Sequence, residues 1–176
     1  MKTLILLLVL VLLSACGGFS GSGAETTRPE DFQVRYEFAE GSLPPPYYYQ
    51  YSLQIGPGEE AEISMTPDYP GEGVPTWTET FTLTAAEVDA LYQQLVSLGL
   101  LSTRWAAEDD PPVGGSRTWL EALVNGREIR VPPYPVSSQR DRAGELLEAV
   151  QAVVPQDILD GLLARREAYM EAHPDR

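Results

Sequence analysis

Residues 76–99 read TWTETFTLTAAEVDALYQQLVSLG, and the pattern changes from strand to helix within this stretch. Before position 83, Trp77, Glu79 and Phe81 alternate with threonines, which is the two-residue period of a half-buried strand. From Val88 onward, apolar residues recur every three or four positions, as on the buried face of a helix. A strand followed directly by an amphipathic helix favours a fold in which the helix packs back on a sheet.

The helix in this stretch has a defined start and end. Thr84 can accept a hydrogen bond from the amide of Glu87, while the Glu87 side chain reaches back to the amide of Thr84, which is a capping box. Leu83 and Val88 flank that box as a hydrophobic staple. Gly99 supplies the left-handed residue that ends many helices. The side chains predicted to face the core are Val88, Leu91, Tyr92, Leu95 and Leu98.

Alternating patterns before residue 76 predict three more strands. The first has apolar residues at every second position, namely Phe32, Val34, Tyr36 and Phe38. The second would bury the odd-numbered positions of residues 47–55, namely Tyr47, Tyr49, Tyr51, Leu53 and Ile55. The loop GPGEE at 56–60 then turns the chain into a third strand with Ala61, Ile63 and Met65 inside, which indicates a hairpin.

A second hairpin is predicted at residues 118–131, where Asn125 and Gly126 separate two alternating runs. Both central residues of a type I′ turn need positive φ, which Asn and Gly tolerate best. The turn sets a register that pairs Leu120 with Val131, Ala122 with Ile129 and Glu121 with Arg130. The last of these pairs joins opposite charges, which stabilises a cross-strand contact.

Two helices are predicted to close the chain. Ser138 with Asp141 would open the first, and Pro155 would end it or begin the second. Their apolar positions are Ala143, Leu146, Leu147, Val150 and Val154, then Ile158, Leu159, Leu162, Leu163 and Tyr169. Arg165, Arg166 and Glu167 would lie outside, and residues 173–176 would fray.

Strands, a helix, a hairpin and then helices are typical of an α+β fold. We predict one domain over residues 31–176, with an antiparallel sheet of about six strands covered on one face by two to three helices. Alternation does not decide the order of strands across the sheet.

The first fifteen residues have the pattern of a bacterial signal peptide. Lys2 precedes a run of Leu, Ile and Val at 4–13, which is shorter than the about 20 apolar residues that cross a bilayer. The run ends in Leu13-Ser14-Ala15-Cys16, which resembles the lipobox of bacterial lipoprotein precursors. The resemblance implies cleavage before Cys16, acylation of that cysteine, and anchorage to the outer face of an envelope membrane, either the outer or the plasma membrane.

Residues 16–30 are predicted to be a lipidated flexible tether. This Gly-, Ser- and Thr-rich segment cannot bury enough apolar surface to offset the entropy of ordering. Cys16 is the only cysteine of the chain, so the folded domain must be held by its core without disulfides.

The chain carries a net charge of −14, and Lys2 is its only lysine. Such an acidic surface repels phosphates, which argues against nucleic-acid binding. The only histidine, His173, lies in the C-terminal tail. Nucleophilic sites built on Cys or Ser with His, Schiff-base lysines and zinc sites built from Cys and His are therefore not expected, and neither a metal nor a cofactor is predicted.

Carboxylates are the remaining groups with catalytic or ligand chemistry. Glu79 would point inward beside Trp77 and Phe81 and could act on a glycan as one of two acids, or it could be a partly exposed edge-strand residue. Glu108, Asp109 and Asp110 could bind calcium, but they lack the spaced ligand pattern that calcium loops share, so a solvated loop is expected.

The segment LPPPYYYQY at 43–51 is the strongest candidate for a binding surface. Its prolines would hold an extended polyproline II segment, with Tyr48 exposed beside Pro45 and Tyr47. Tyrosine offers flat apolar area plus a hydroxyl to a protein or glycan partner. The alternative is that Tyr47, Tyr49 and Tyr51 belong to the core, beside a single exposed Tyr48.

We therefore expect a membrane-tethered, non-enzymatic envelope lipoprotein that binds or assists another component. A carboxylate-based enzyme acting on cell-wall glycans and a purely structural lipoprotein are the alternatives.

Overall fold

The computed structural model describes residues 27–174, in which one six-stranded antiparallel sheet packs against three helices. The strands are β1 (Gln33–Ala39), β2 (Gln50–Ile55), β3 (Glu60–Thr66), β4 (Trp77–Thr82), β5 (Arg117–Val124) and β6 (Arg127–Val131). The helices are α1 (Ala85–Ser97), α2 (Arg140–Gln151) and α3 (Gln156–Ala172), and a 3₁₀ turn at Ser137–Gln139 precedes α2. The α+β prediction is confirmed. The predicted signal peptide, Cys16 and the predicted tether up to residue 26 lie outside the described residues.

The strands are ordered β4-β3-β2-β1-β5-β6 across the sheet. β1 therefore lies at the centre, between β2 and β5, while α1 carries the chain from the edge strand β4 back to β5. The predicted register of the β5–β6 hairpin is confirmed, since Leu120 pairs with Val131, Ala122 with Ile129 and Glu121 with Arg130. Asn125 and Gly126 both have positive φ, of 52° and 71°.

The helices cover the apolar face of the sheet. Tyr36, Leu53 and Ile63 lie on that face and are at most 3 % exposed. α1 packs on it through Val88, Leu91, Tyr92 and Leu95, as predicted. Each such fully buried Leu, Ile or Val side chain stabilises the fold by roughly 1.5–3 kcal/mol. The opposite face is polar and carries side chains such as Arg35, Gln54 and Glu62.

The capping box of α1 is confirmed. The Glu87 amide donates to the Thr84 hydroxyl at 3.3 Å, and the Thr84 amide donates to the Glu87 carboxylate at 2.7 Å. The Thr84 hydroxyl also donates to this carboxylate at 2.8 Å, and the two bonds that the carboxylate accepts from the Thr84 backbone and side chain hold the pKa of Glu87 below its ordinary value. The helix is followed by Gly99 at φ +91°, as the predicted left-handed stop requires.

The start of α2 differs from the prediction. The helix begins at Arg140 rather than at Ser138, and no side chain caps its first turn. The Gln139 side chain accepts from the amide of Ala106 and donates to the carbonyl of Arg104, both at 3.0 Å. The start of α2 is therefore tied to the α1–β5 connection instead of being capped by its own sequence.

α3 contacts β4 through Arg165 on Glu79 and Tyr169 on Trp77, and it contacts the residue before β2 through Arg166 on Tyr49. Leu162 and Tyr169 are its buried side chains. α3 ends at Ala172, before the tail that was predicted to fray, and residues 175–176 of that tail lie outside the described residues. The His173 ring stacks on Tyr169 with ring centroids 4.2 Å apart. Between residues 27 and 174 there is no helix with both the length and the apolar character needed to span a bilayer.

The connections between antiparallel strands fall at two ends of the sheet. We call the end with the tight turns at 56–59 and 125–126 the hairpin end. The other, the proline end, holds the longer strand connections at 40–49 and 67–76, together with the segment 111–116 that leads into β5 and the segment 132–136 that follows β6. Most of the chain's 15 prolines lie there, namely Pro44, Pro45, Pro46, Pro67, Pro70, Pro75, Pro111, Pro112, Pro132, Pro133 and Pro135.

Candidate binding site at the proline end

Large apolar side chains are exposed at one end of the described domain. Among residues 27–174 they are Leu43 (43 %), Tyr47 (57 %), Tyr69 (41 %) and the fully exposed Val113, all on loops of the proline end. Single exposed apolar residues are normal on soluble proteins, whereas a cluster of them indicates a surface that binds something. The proline end is therefore the candidate binding site.

Tyr48, predicted to be an exposed ring, is buried beneath Tyr69. The two rings stack with centroids 3.9 Å apart and planes 9° apart. This contact covers one face of Tyr48, which is 6 % exposed. The prediction that Tyr48 is the exposed ring is wrong, because a second tyrosine from the β3–β4 loop covers it. Tyr69 is the accessible ring of the pair.

The hydroxyl groups of the stacked tyrosines are bonded within the protein. The Tyr48 hydroxyl donates to Gln50 Oε1 at 2.8 Å, and the Tyr69 hydroxyl donates to the carbonyl of Leu43 at 2.9 Å. Burial raises the pKa of Tyr48, and the nearby positive charge of Arg117 partly opposes that rise. The Tyr48 phenol therefore stays neutral at physiological pH and keeps its hydrogen on the bond to Gln50.

A cavity of about 440 Å³ lies beside the stacked pair. Its lining includes Tyr48, Tyr69, Tyr134, Glu40 and Arg117, together with residues of the β1–β2 and 111–116 loops. These two loops touch at Gly41, where a Cβ atom would lie 2.7 Å from the carbonyl carbon of Gly115. The cavity thus depends on a close backbone approach that only glycine at position 41 permits.

Arg117, at the start of β5, supplies the positive charge of this cavity. It is exposed and forms no ion pair with any acidic residue in the described part of the chain. The carboxylate of the other charged residue, Glu40, accepts a hydrogen bond from the Gly41 amide at 2.9 Å. Five arginines elsewhere are paired with carboxylates, namely Arg28, Arg35, Arg130, Arg140 and Arg165. The charge of Arg117 is therefore available to a ligand.

Pro45 and Tyr47, the other predicted binding residues, are exposed on the β1–β2 loop. The Tyr47 amide donates to the carbonyl of Pro44 at 2.9 Å, so residues 44–47 form a turn. The predicted polyproline II segment is therefore wrong, because that conformation has no internal hydrogen bonds and cannot reverse the chain between adjacent antiparallel strands. The alternative interpretation, which placed Tyr47 in the core, is also wrong for that residue, because Tyr47 is exposed. It is right for Tyr51, which is buried.

Arg166 of α3 holds the base of this turn. Its Nη2 donates to the carbonyl of Tyr47 at 3.0 Å, and its guanidinium lies 4.1 Å from the ring centroid of Tyr49. The prediction that Arg166 faces outward is wrong, because a half-buried tyrosine ring attracts the cation inward. α3 thus fixes the position from which Tyr47 is displayed.

None of the acidic residues predicted as catalytic or calcium-binding candidates lines this cavity. Glu79 points to the helix side of β4, where its carboxylate pairs with Arg165 at 2.7 Å. Glu108 pairs with Arg140, while Asp109 and Asp110 are exposed. Within residues 27–174, no three His, Cys, Asp or Glu side chains gather as a metal-binding group.

A second cavity of about 660 Å³ adjoins the first. Pro112 and Tyr134 line both, so the site continues around the Tyr134 ring toward α2. Gly144 of α2 lies in its wall, with open space where a side chain would point.

Sequence reasoning missed Tyr69, Tyr134 and Arg117. A signal for the two tyrosines is present, because each lies next to proline, in Asp68-Tyr69-Pro70 and Pro133-Tyr134-Pro135, as Tyr47 does. Arg117 carries no comparable signal, since its position at the cavity follows from the pairing of β5 with β1.

No family model matches the chain, and no curated protein matches it. The assignment of the candidate site therefore rests on the geometry of this structure alone.

Proposed function

We propose that the protein is an envelope lipoprotein, anchored through lipid on Cys16, whose folded domain is a non-enzymatic binding module. The proline end is its binding surface. The observation that carries this proposal is the gathering of Leu43, Tyr47, Tyr69 and Val113 at that end, while the rest of the described surface lacks large exposed apolar residues. The lipobox resemblance of residues 13–16 supports the anchorage.

The loops of the proline end are suited to binding because they are held in place before a ligand arrives. Proline restricts the backbone, so the loops lose little entropy when they bind. Tyrosine side chains add contact area at a small entropic cost, since they have two rotatable side-chain bonds. Arg166 and the Tyr48–Tyr69 stack fix the rings further.

The position of the tether supports the same surface. β1 starts at Gln33, at the hairpin end, and residues 27–32 lead into it from there. A strand of seven residues is roughly 23 Å long, so the site lies on the far side of the domain from the point where the tether joins. A domain anchored in this way carries the proline end at the extremity opposite its attachment point.

Anchorage is tested by growing the source bacterium with an alkyne fatty acid. The wild-type chain should acquire the label and a Cys16→Ser variant should not. Labelling of both, or of neither, would contradict the proposed anchor.

The binding surface is tested by co-sedimentation of the full chain, in detergent micelles, with envelope fragments of the source bacterium. A Tyr47→Ala/Tyr69→Ala double variant should be retained at least about fivefold less than the wild type, a loss typical of removing interface aromatic residues. Arg127→Gln, a surface change at the hairpin end, should be retained like the wild type. Equal retention of all three proteins would contradict the assignment of the proline end as the binding surface.

A further inference from the structure

We propose that the cavity between Tyr48, Tyr69 and Tyr134 binds a sugar that carries a carboxylate group, with Arg117 as its counter-ion. This inference rests on the proposed function only in placing the ligand at the proline end. It adds the chemical class of the ligand.

The first reason is the flat aromatic wall. Tyr69 is held against Tyr48 by one ring face, at a centroid distance of 3.9 Å, and the residue is 41 % exposed. A ring fixed in this way is a platform of defined orientation. The apolar C–H face of a pyranose ring can stack on such a platform, because it offers flat apolar area without a polar group in its centre.

The second reason is the set of hydrogen bonds that the three tyrosine hydroxyl groups of the cavity already form. The Tyr48 and Tyr69 hydroxyls already donate their hydrogens to Gln50 and to Leu43. The Tyr134 hydroxyl makes a longer bond of 3.5 Å to the Gly114 carbonyl. A phenol whose hydrogen is committed can still accept through its oxygen lone pairs. The ligand must therefore bring donors of its own, as the hydroxyl groups of a sugar do.

The third reason is charge. In a chain of net charge −14, Arg117 lies at the cavity without a carboxylate partner in the described residues. A guanidinium binds a carboxylate through paired hydrogen bonds, which are stronger than those between neutral groups. A ligand carboxylate would complete the pairing that five other arginines find within the protein.

The size of the cavity agrees with this class of ligand. Its volume of about 440 Å³ falls within the range of roughly 300–1,000 Å³ that small-molecule sites occupy. The adjoining cavity past Tyr134 provides room for further units of a chain.

The test is an equilibrium titration of the full chain, in detergent micelles at low ionic strength, with a glucuronate-containing oligosaccharide and with a glucose oligosaccharide of equal length. The acidic sugar should bind at least about tenfold tighter, as expected for one charge-assisted bidentate contact. Arg117→Gln should remove this preference. Arg127→Gln removes the same charge from another exposed arginine that forms no ion pair in the described residues, and it should preserve the preference.

Three outcomes would overturn the inference. They are equal binding of the two sugars, equal weakening by the two arginine variants, and equally tight binding of a triglutamate peptide, which would show that the carboxylate alone is recognised. Tyr69→Ala should weaken both sugars, because the platform is shared.

Failure of this inference is distinguishable from failure of the proposed function. Retention on envelope fragments that depends on Tyr47 and Tyr69, without saturable binding of the acidic sugar, would leave the proposed function standing and overturn the inference. Binding of the acidic sugar by a chain that acquires no lipid would support the inference and overturn the proposed anchor.

Discussion

The two ends of the sheet solve the same problem, reversing the chain between antiparallel strands, in different ways. At the hairpin end, Asn125 and Gly126 turn the chain in two residues, and their amides bond to the Asp31 carboxylate at 2.9 and 2.5 Å. At the proline end, the loops are long and are held by side chains, such as Tyr69 on Leu43 and Arg166 on Tyr47. The tight turns of the hairpin end show that reversing the chain needs fewer residues than the loops of the proline end contain.

The strongest test of this contrast is Gly41→Ala at the proline end. The new Cβ would lie 2.7–2.9 Å from three backbone atoms of Gly115, which cannot move aside as a flexible side chain could. Such overpacking should lower the free energy of unfolding by about 2 kcal/mol, measured by urea denaturation, and should weaken ligand binding.

Gly71→Ala is the matched control for that substitution. It lies on a loop of the same end, its φ is not positive, and its nearest contact would be 3.9 Å away. Its effect should stay within about 0.5 kcal/mol. Equal destabilisation by the two variants would show that the close approach of the loops is unimportant.

A smaller effect is expected at the hairpin end from Asp31→Ala. The change removes the carboxylate that accepts from Asn125 and Gly126, and should cost about 1 kcal/mol of unfolding free energy, because these bonds are charge-assisted but close to solvent. Glu30→Ala, at the neighbouring exposed position, is the control and should be neutral. Asp31→Ala should leave binding at the proline end unchanged, and a loss of binding would show that the two ends are coupled.

The smallest effect concerns Glu87, at the start of α1 on the hairpin end. Hydrogen bonds from Thr84 lower its pKa in the folded state, so its stabilising contribution is complete above the ordinary glutamate pKa of about 4.3 and is lost as pH falls through the folded value. The melting temperature of the wild type should therefore fall more steeply in acid than that of Glu87→Gln, which keeps an acceptor and does not titrate. If the melting temperatures of the two proteins fell equally with pH, the ionised Glu87 carboxylate would not be the source of this stabilisation.

Features set by neighbouring residues could be predicted from the sequence. Asn125-Gly126 determines its turn, its register and its cross-strand pairs because all three follow from two φ angles. The Thr84–Glu87 box likewise determines where α1 begins. The architecture followed from the order of such local elements.

The site could be predicted only in part. Alternation assigned Tyr47 to the core face, but an isolated pattern contains no information about where a strand stops, and β2 starts at Gln50. Covering rings and charges come from other loops, as Tyr69, Tyr134 and Arg117 show, and the strand order that brings these loops together is not encoded in any single segment. Long-range contacts also explain why Arg166 turns inward.

The ion pair between Glu79 and Arg165 lies on an edge strand of the sheet. β4 is an edge strand, and an open edge can pair with a second copy and seed aggregation. Glu79 places a charge, held by Arg165, on the side of β4 that would otherwise be wholly apolar beside Trp77 and Phe81. Pairing of a second copy along β4 would desolvate this ion pair, and that cost opposes association of two copies through the edge.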